Sequence, residues 1–556
     1  MNSQRTRTRT AGPFLGGWHL ALPLLALGLH RDLWAPDEPR YAQIAREAWE
    51  SGSLLVLHLC GDLYPDKPPL VYWLTALAGE IGGWSAFALR VPSILATLGS
   101  AWIAQRIARR LFGDVVAAWT PTFYLGTAMV LWFGGRLQLD PVLSFFCLAA
   151  IDLVWTDGGE ARARNRRLLL AGLCAGLGAL SKGPVAWVHV GFALLALWLV
   201  PQAVRGSARW SASAWAGFVA LSILPVASWA ALASLAEPEL WKPLFLGQHL
   251  GRATSADAPH AGPPWEHVWQ MPALFLPWTG LFLVGIAGAW RAWRGARANS
   301  EPGQVSAQDR GLVRALTWFA LVFAVFSIMP PKRELYLLPL YPAAAWFAAV
   351  AFERALATRR LTAGLGPVTA GIMLFIGLGL GVVPHVVDEL EPFASATTPV
   401  AFAFVISAGA AFAYLRRGEI ARWADALALG LSAAAIAAAI WVIPLVDPVK
   451  SARILAHEIA ALPQKPAEIP CISVQPEGYR FYAQVPTVRG SHVDLEVARR
   501  RFGRDFLLLI NEHSWDELPA AYRARLVVVH RRQVGSRNVL VIGLDPDDGS
   551  VREGNP

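Results

Sequence analysis

Apolar and polar positions fall along this chain in long blocks. Apolar stretches run near 13–30, 86–105, 115–133, 138–156, 168–181, 184–204, 212–235, 272–290, 312–329, 335–352, 363–384, 397–415 and 423–446. Most approach the 20 or so residues a helix needs to cross a bilayer; the fifth is short. The pattern predicts an α-helical polytopic membrane protein with about 13 transmembrane helices. Pro13 to His30 reads as a retained first span rather than a cleaved leader, because no small-residue cleavage site precedes Asp37. Arginines cluster in alternate loops, for example Arg106, Arg109 and Arg110, then Arg162, Arg164, Arg166 and Arg167. Basic loops stay on the cytoplasmic side, so the N-terminus is expected inside and the C-terminus outside, in the periplasm of a bacterial inner membrane.

Two long polar segments interrupt the apolar blocks, 31–85 and 236–271, both on the predicted outer face. They belong with the spans to one transmembrane domain, 1–446. From Asp447 the pattern changes. An amphipathic helix, Ser451–Leu462, precedes short β-like runs at Cys471–Val474, Phe481–Val485, Phe506–Ile510, Leu526–His530 and Val539–Leu544, with helical patterns at Val493–Arg501 and Trp515–Ala524. This predicts a small periplasmic α/β domain over 447–545 and a disordered tail, 546–556.

Composition narrows the class. Of 556 residues, 55% are apolar and 16% charged, and the mean hydropathy is +0.40. A soluble chain could not bury so much apolar surface. A net charge of +9 would suit nucleic acid, but the arginines sit in short inter-span clusters, so no nucleic-acid partner is expected. The 25 tryptophans suit interfacial anchoring and packing between helices. Cys147 and Cys174 fall in apolar spans as small packing residues. Cys60 and Cys471 fall in outer regions, where they could pair.

The stretch Asp37–Trp73, DEPRYAQIAREAWESGSLLVLHLCGDLYPDKPPLVYW, is the densest in chemistry. Asp37 can cap a helix with Pro39 in its first turn, or serve as a general base or acceptor ligand at the membrane face. Capping accounts for Asp37 or Glu38 but not both, nor for Arg40 and Tyr41. Lys67, fixed by Pro68 and Pro69, and Lys182, in the turn Ser-Lys-Gly-Pro, are either snorkelling lysines or point-charge partners for a phosphate. Arg252, Lys332 and Arg333 are either further phosphate partners or anchors to anionic headgroups. Arg136 and Asp140 fit an ion pair at a span end or part of a polar cavity. His249, His260 and His267 share a loop region, but their spacing matches no standard zinc motif. Taken together, the outer loops bring cations, acids and aromatics to one interface depth. That suits a ligand with a membrane-bound tail and a phosphate-sugar head.

Six motifs then occur in order over about 30–345: WAPDEPRYAQIAREAWESGSLLV…DKPPLVYWLTAL, FALRVPSILATL, LDPVLSFF, ALSKGPVA, LFLGQHLGR…H…PPW and PPKRELYLLPLYP. As a set they resemble the GT-C glycosyltransferases that use polyprenyl-phosphate sugars. The nearest resemblance is to the lipid A 4-amino-4-deoxy-L-arabinose transferases, with protein O-mannosyltransferases more distant. The resemblance implies a GT-C fold and an inverting transferase at the periplasmic face, moving a sugar from undecaprenyl phosphate to lipid A or another envelope acceptor. It implies Asp37 as the catalytic acid, and Lys67, Lys182 and Tyr336 at the donor phosphate, with Arg40, Tyr41 and Asp140 lining the same cavity. It also implies a zinc ion held in part by Asp66 and His249. Two positions depart from the family: Asp66 stands where Glu is usual before Lys-Pro-Pro, and Gln248 where Glu often precedes the loop histidine. Expected partners are the polyprenyl-phosphate donor, the acceptor and membrane lipids. A protein Ser/Thr acceptor on the same fold is the rival enzyme reading. A transporter is the rival from another class, disfavoured because the charges lie at one face and no internal repeat is visible.

Overall fold

A computed structural model describes residues 12–201, 204, 210–240, 260–298, 305–361, 364–462, 467–490, 506–524 and 526–544. The chain divides into two compact units. One contains 1–29, 65–71 and 90–442; the other contains 30–64, 72–89 and 443–556.

The first unit is helical. Among the described residues of the whole chain, seven helices are long and apolar enough to cross a membrane: Ala86–Phe112, Ala212–Ala236, Ala307–Ile328, Glu334–Thr358, Leu365–Val386, Asp388–Arg416 and Ile420–Lys450. The sequence had suggested about 13, and the reasons for the shortfall are local. The first expected span is the shorter apolar segment Phe14–Leu29, which opens as a 3₁₀ turn with positive φ at Leu15, Gly16 and Gly17. The third is split at Gly126 and Thr127 into Asp114–Leu125 and Ala128–Phe133. The fourth, Asp140–Val154, and the sixth, Val185–Leu199, are 15 residues each. The fifth lies in Ala161–Lys182, whose first two turns carry Arg162, Arg164, Arg166 and Arg167. The eighth, Thr279–Ala298, ends in an arginine-bearing segment. These stretches are helical, but each is too short or too charged to qualify alone.

Packing in this unit has several recognisable causes. The Glu334–Thr358 segment is 94% buried along its most apolar window, so it is a central packed helix rather than a lipid-facing one. Four fully buried tryptophans each satisfy the indole N–H on a backbone carbonyl: Trp155 on Ala193, Trp278 on Gly126, Trp318 on His189 and Trp346 on Ala104. Glycines let backbones approach. A methyl at Gly172 would stand 2.6 Å from the Phe218 carbonyl oxygen, and one at Gly176 2.6 Å from that of Leu221. The Ala161–Lys182 helix therefore meets the Ala212–Ala236 helix through a small-residue face. At the arginine-rich ends, Asp152 takes both Arg106 and Arg110, and Asp157 pairs with Arg314 at 2.7 Å.

The second unit combines the Asp37–Ser51 helix with a C-terminal sheet. A short hairpin, β1 (His58–Leu59) and β2 (Asp62–Leu63), follows the helix. The five-stranded sheet contains β3 (Ile469–Ile472), β4 (Thr487–Arg489), β5 (Leu507–Asn511), β6 (Leu526–Val534) and β7 (Arg537–Leu544), in the order β4-β3-β5-β7-β6. β3 runs parallel to β4 and β5; β7 is antiparallel to β5 and β6. One face packs on the Arg453–Ala460 and Pro476–Ala483 helices through Leu455, Ile459, Tyr479, Leu509 and Val541. The Phe481–Val485 run, expected as a strand, is instead divided between the end of the Pro476–Ala483 helix and a left-handed Gln484 (φ 55°) that closes it. Its apolar residues therefore cover the sheet rather than join it. The 493–501 pattern and the tail after 545 lie outside the described residues.

Candidate active site

Asp37 is buried at the start of the Asp37–Ser51 helix, with no side-chain cap from the preceding Pro36. The two acids of this turn have different jobs. The Glu38 carboxylate is fully buried, takes Arg31 Nη2 at 3.0 Å on one oxygen and accepts the Trp34 amide at 3.1 Å on the other. It braces the turn before the helix. Arg31 also covers the Trp34 ring at 4.9 Å, and Asp447 takes the Trp34 indole N–H at 2.6 Å. Asp37 has a looser neighbour, Arg40, at 3.9 Å one turn on. Arg40 Nε in turn donates to Glu477 at 3.3 Å. Burial works against the Arg40 charge, but Glu477, Tyr64 and Asp37 together outweigh it and hold its pKa above the usual value. Tyr41 meets Tyr72 edge-on at 5.9 Å, and the Tyr72 hydroxyl donates to that of Tyr64.

This end of the helix is also fixed from the C-terminal part of the same unit. The Tyr482 hydroxyl accepts the Leu33 amide at 2.9 Å, and Arg453 pairs with Asp32 at 2.9 Å. Further along, Glu47 accepts the Cys60 and Gly61 amides at 2.8 Å each and pairs with Arg480 at 3.1 Å.

In the first unit a second cluster forms around Lys182, the last residue of its helix, where Gly183 at φ 97° turns the chain away. The Lys182 ammonium is buried against the Asp140 carboxylate and lies 4.8 Å from the centre of the Tyr336 ring. Asp140 begins its own helix, with Pro141 in the first turn. Tyr336 sits in the 3₁₀ turn Glu334–Leu340. Its carbonyl lies 3.2 Å from Nε2 of His189, whose ring stacks on Phe326 at 5.6 Å. A cation so placed, with a carboxylate on one side and an aromatic face on another, can hold an anionic oxygen and stabilise charge that develops on it.

The structure thus brings Lys182, Asp140 and Tyr336 together, and separately Asp37 and Arg40. Asp66 and Lys67 are half-buried, ahead of the buried Pro68 and Pro69 that lead into the Leu70–Ile81 helix. Lys332 is taken up locally, its ammonium donating to the carbonyls of Ser327 and Met329 at the end of the preceding helix. Arg252, Gln248 and His249 lie outside the described residues. Among the described residues no three His, Cys, Asp or Glu side chains come together to hold a metal ion. His267 accepts or donates at Gln270 3.0 Å away; desolvation lowers its pKa. Cys60 and Cys471 are free thiols.

Sequence reasoning did not single out Glu477 or His189. Glu477 lies hundreds of residues from its partner Arg40, with no local motif to mark it. His189 had one legible signal: an ionisable ring inside an apolar stretch is costly unless something holds it.

Known proteins resemble this chain in sequence and in fold. A family model described as dolichyl-phosphate-mannose-protein mannosyltransferase matches residues 66–229. The undecaprenyl phosphate-alpha-4-amino-4-deoxy-L-arabinose arabinosyl transferase of Edwardsiella ictaluri is 32% identical over 357 residues, covering 63% of this chain and 60% of that protein. A Pseudomonas fluorescens transferase of the same description is 31% identical, covering 60% and 57%. The chain thus matches somewhat over half the length of these curated relatives. The crystal structure of ArnT from Cupriavidus metallidurans bound to undecaprenyl phosphate superposes with a TM-score of 0.75 at 21% identity, covering 97% of this chain and 99% of that one. The chain is therefore a polytopic α-helical membrane protein with the GT-C fold of ArnT, related in sequence to the undecaprenyl-phosphate aminoarabinose transferases.

Proposed function

We propose that this protein is an inverting glycosyltransferase that takes a sugar from undecaprenyl phosphate and places it on lipid A or another envelope acceptor at the periplasmic face of the inner membrane. The observation that carries the reading is the buried Lys182 ammonium, held between Asp140 and the Tyr336 ring in an apolar helical unit. The curated relatives, named as undecaprenyl-phosphate aminoarabinose transferases, support 4-amino-4-deoxy-L-arabinose as the sugar.

In the proposed reaction an acceptor oxygen attacks the anomeric carbon from the face opposite the phosphate. A new C–O bond forms as the bond from the anomeric carbon to the phosphate oxygen breaks, and the electron pair leaves with undecaprenyl phosphate. Lys182 and Lys67, with Arg252, stabilise that leaving charge, the kind of contribution that is usually the largest in such catalysis. If the acceptor is a hydroxyl, Asp37 takes its proton; if it is a phosphate oxygen, no proton moves and Asp37 orients it. A protein Ser/Thr acceptor is the second reading, favoured by the match of 66–229 to the protein mannosyltransferase model.

The test is mass spectrometry of lipid A and envelope glycans from cells expressing the wild-type protein or Lys182→Ala at matched membrane levels. The reading expects a sugar-sized mass addition on an envelope acceptor that Lys182→Ala abolishes. The same addition at full level in the variant would remove Lys182 from the site. An addition found only on protein would select the second reading.

A further inference from the structure

Lys182 and His189 lie on either side of the Gly183-Pro184 turn, at the end of one helix and inside the next. Both reach Tyr336. The Lys182 ammonium is 4.8 Å from the centre of the ring, and His189 Nε2 is 3.2 Å from the carbonyl oxygen. The proposed reaction uses Lys182 and the Tyr336 ring but gives His189 no part. Yet His189 is fully buried in an apolar helix, where an ionisable ring is costly unless something holds it.

The Tyr336 carbonyl accounts for the ring. Tyr336 lies in the 3₁₀ turn Glu334–Leu340, and in such a turn each carbonyl accepts the amide three residues on. For Tyr336 that residue is Pro339, which has no N–H. His189 supplies a donor in its place. A carbonyl only accepts, so the imidazole proton sits on Nε2. Nδ1 is buried with no hydrogen-bond partner among the described residues, so the ring is oriented by its contact to Tyr336. The Ala307–Ile328 helix steadies it there. Trp318 donates its indole N–H to the His189 carbonyl at 3.0 Å, and Phe326 stacks on the imidazole at 5.6 Å. Phe326 also lies against the Tyr336 ring, with centres 5.7 Å apart. A hydrogen bond and a shared aromatic neighbour thus set where the Tyr336 ring lies over the Lys182 ammonium.

We propose that His189 is a positioning residue: its Nε2–H holds the Glu334–Leu340 turn so that the Tyr336 ring stays on the Lys182 ammonium. The consequence for a donor phosphate rests on the transferase reading; the placement of Tyr336 does not. A turn that slid would leave Lys182 to Asp140 alone, and an ammonium drawn wholly onto a carboxylate is a poorer partner for phosphate.

The test uses the full chain in detergent with His189→Gln and His189→Met. Both lose the imidazole and have side chains of equal length, but only glutamine keeps an N–H to offer the carbonyl. The readout is the ¹⁹F resonance of 3-fluorotyrosine placed at Tyr336, with Lys182→Ala as the reference for a ring that has lost its cation. His189→Met is expected to move the resonance toward that reference, and His189→Gln to leave it close to wild type. Equal resonances in the two folded variants overturn the proposal. Should His189→Met fail to fold, the ¹⁵N spectrum of labelled histidine in the wild-type protein decides, the His189 signals being those absent from His189→Gln. A proton on Nε2 supports the proposal and one on Nδ1 overturns it. Undecaprenyl phosphate binding tests the consequence. His189→Met should bind this lipid several-fold more weakly than His189→Gln, and the two should bind it equally once Tyr336→Leu has removed the ring. A difference that survives Tyr336→Leu means that His189 acts by another route, and overturns the proposal. A merely structural histidine would lower the melting temperature of both variants and leave resonance and lipid affinity alike in both. Separated ¹⁹F resonances in a protein that releases no undecaprenyl phosphate from any donor would keep the proposal and end the transferase reading; equal resonances in an active transferase would do the reverse.

Discussion

Asp37 and Glu38 are neighbours of the same chemical type with opposite consequences on substitution. Glu38 is paired with Arg31 and fully buried, so Glu38→Gln removes a counter-charge from a buried guanidinium. Breaking such a pair typically costs about 3–5 kcal/mol, and we expect a lower melting temperature for this variant in detergent. Asp37→Asn keeps the side chain's shape and loses its charge beside Arg40, 3.9 Å away, so stability should change little. Its effect should fall on transfer: losing a general base typically costs roughly 10²–10⁴-fold in rate. Wild-type turnover by Asp37→Asn with saturating donor would remove the catalytic role. Cys60 gives a pH test at the same scale. Burial, with Glu477 adding, pushes its pKa up to about 12 from 9.0. The folded state therefore holds the thiol proton where the unfolded chain has released it, so this contribution to stability is complete below about pH 9 and is lost as pH rises toward 12. Alkylation at pH 8 should leave Cys60 and Cys471 unmodified until the protein is denatured. Of these residue roles, the sequence made the Asp37 turn conspicuous but could not divide its two acids, since Arg31 and the Trp34 amide find Glu38 only when the preceding turn folds.

Elements were more legible than their boundaries. Long apolar runs correctly marked Ala212–Ala236, Leu365–Val386 and Ile420–Lys450 as spans. The count failed where an apolar run is broken by its own chemistry, as at Gly126 and Thr127, or where arginines occupy the first turns, as in Ala161–Lys182. That last helix carries Lys182, the proposed phosphate partner, at its C-terminus, and its Gly172 and Gly176 fix how closely it meets the Ala212–Ala236 helix. Gly176→Val should force these backbones apart and shift Lys182. We expect reduced transfer and a lower melting temperature even though the substitution touches no polar group; retention of both would show that the contact tolerates the volume. In the C-terminal sheet, β5 and β7 follow the apolar runs closely, whereas Phe481–Val485 misled because a short apolar run bounded by turns suits a strand or a covering helix equally.

For the whole molecule, the order of the motifs over about 30–345 was enough to anticipate the fold that the ArnT comparison shows. The way the second unit is assembled was not legible, because residues 30–64 and 443–556 come together only through distant pairs such as Trp34 with Asp447 and Arg40 with Glu477. The arginine clusters lead us to propose a cytoplasmic N-terminus and a periplasmic C-terminal unit. A reporter inserted near Arg166 should read as cytoplasmic and one fused after Leu462 as periplasmic; the reverse pair would invert the proposed topology. The central claim is that the protein breaks the bond between a sugar and undecaprenyl phosphate. Its most direct test is the release of undecaprenyl phosphate from undecaprenyl-phosphate aminoarabinose by the purified protein in vesicles containing lipid A. The account predicts release matched one for one by sugar gained on the acceptor, and abolished by Lys182→Ala. Neither release nor transfer by the folded wild-type protein, with this donor and a panel of other undecaprenyl-phosphate sugars, would contradict it.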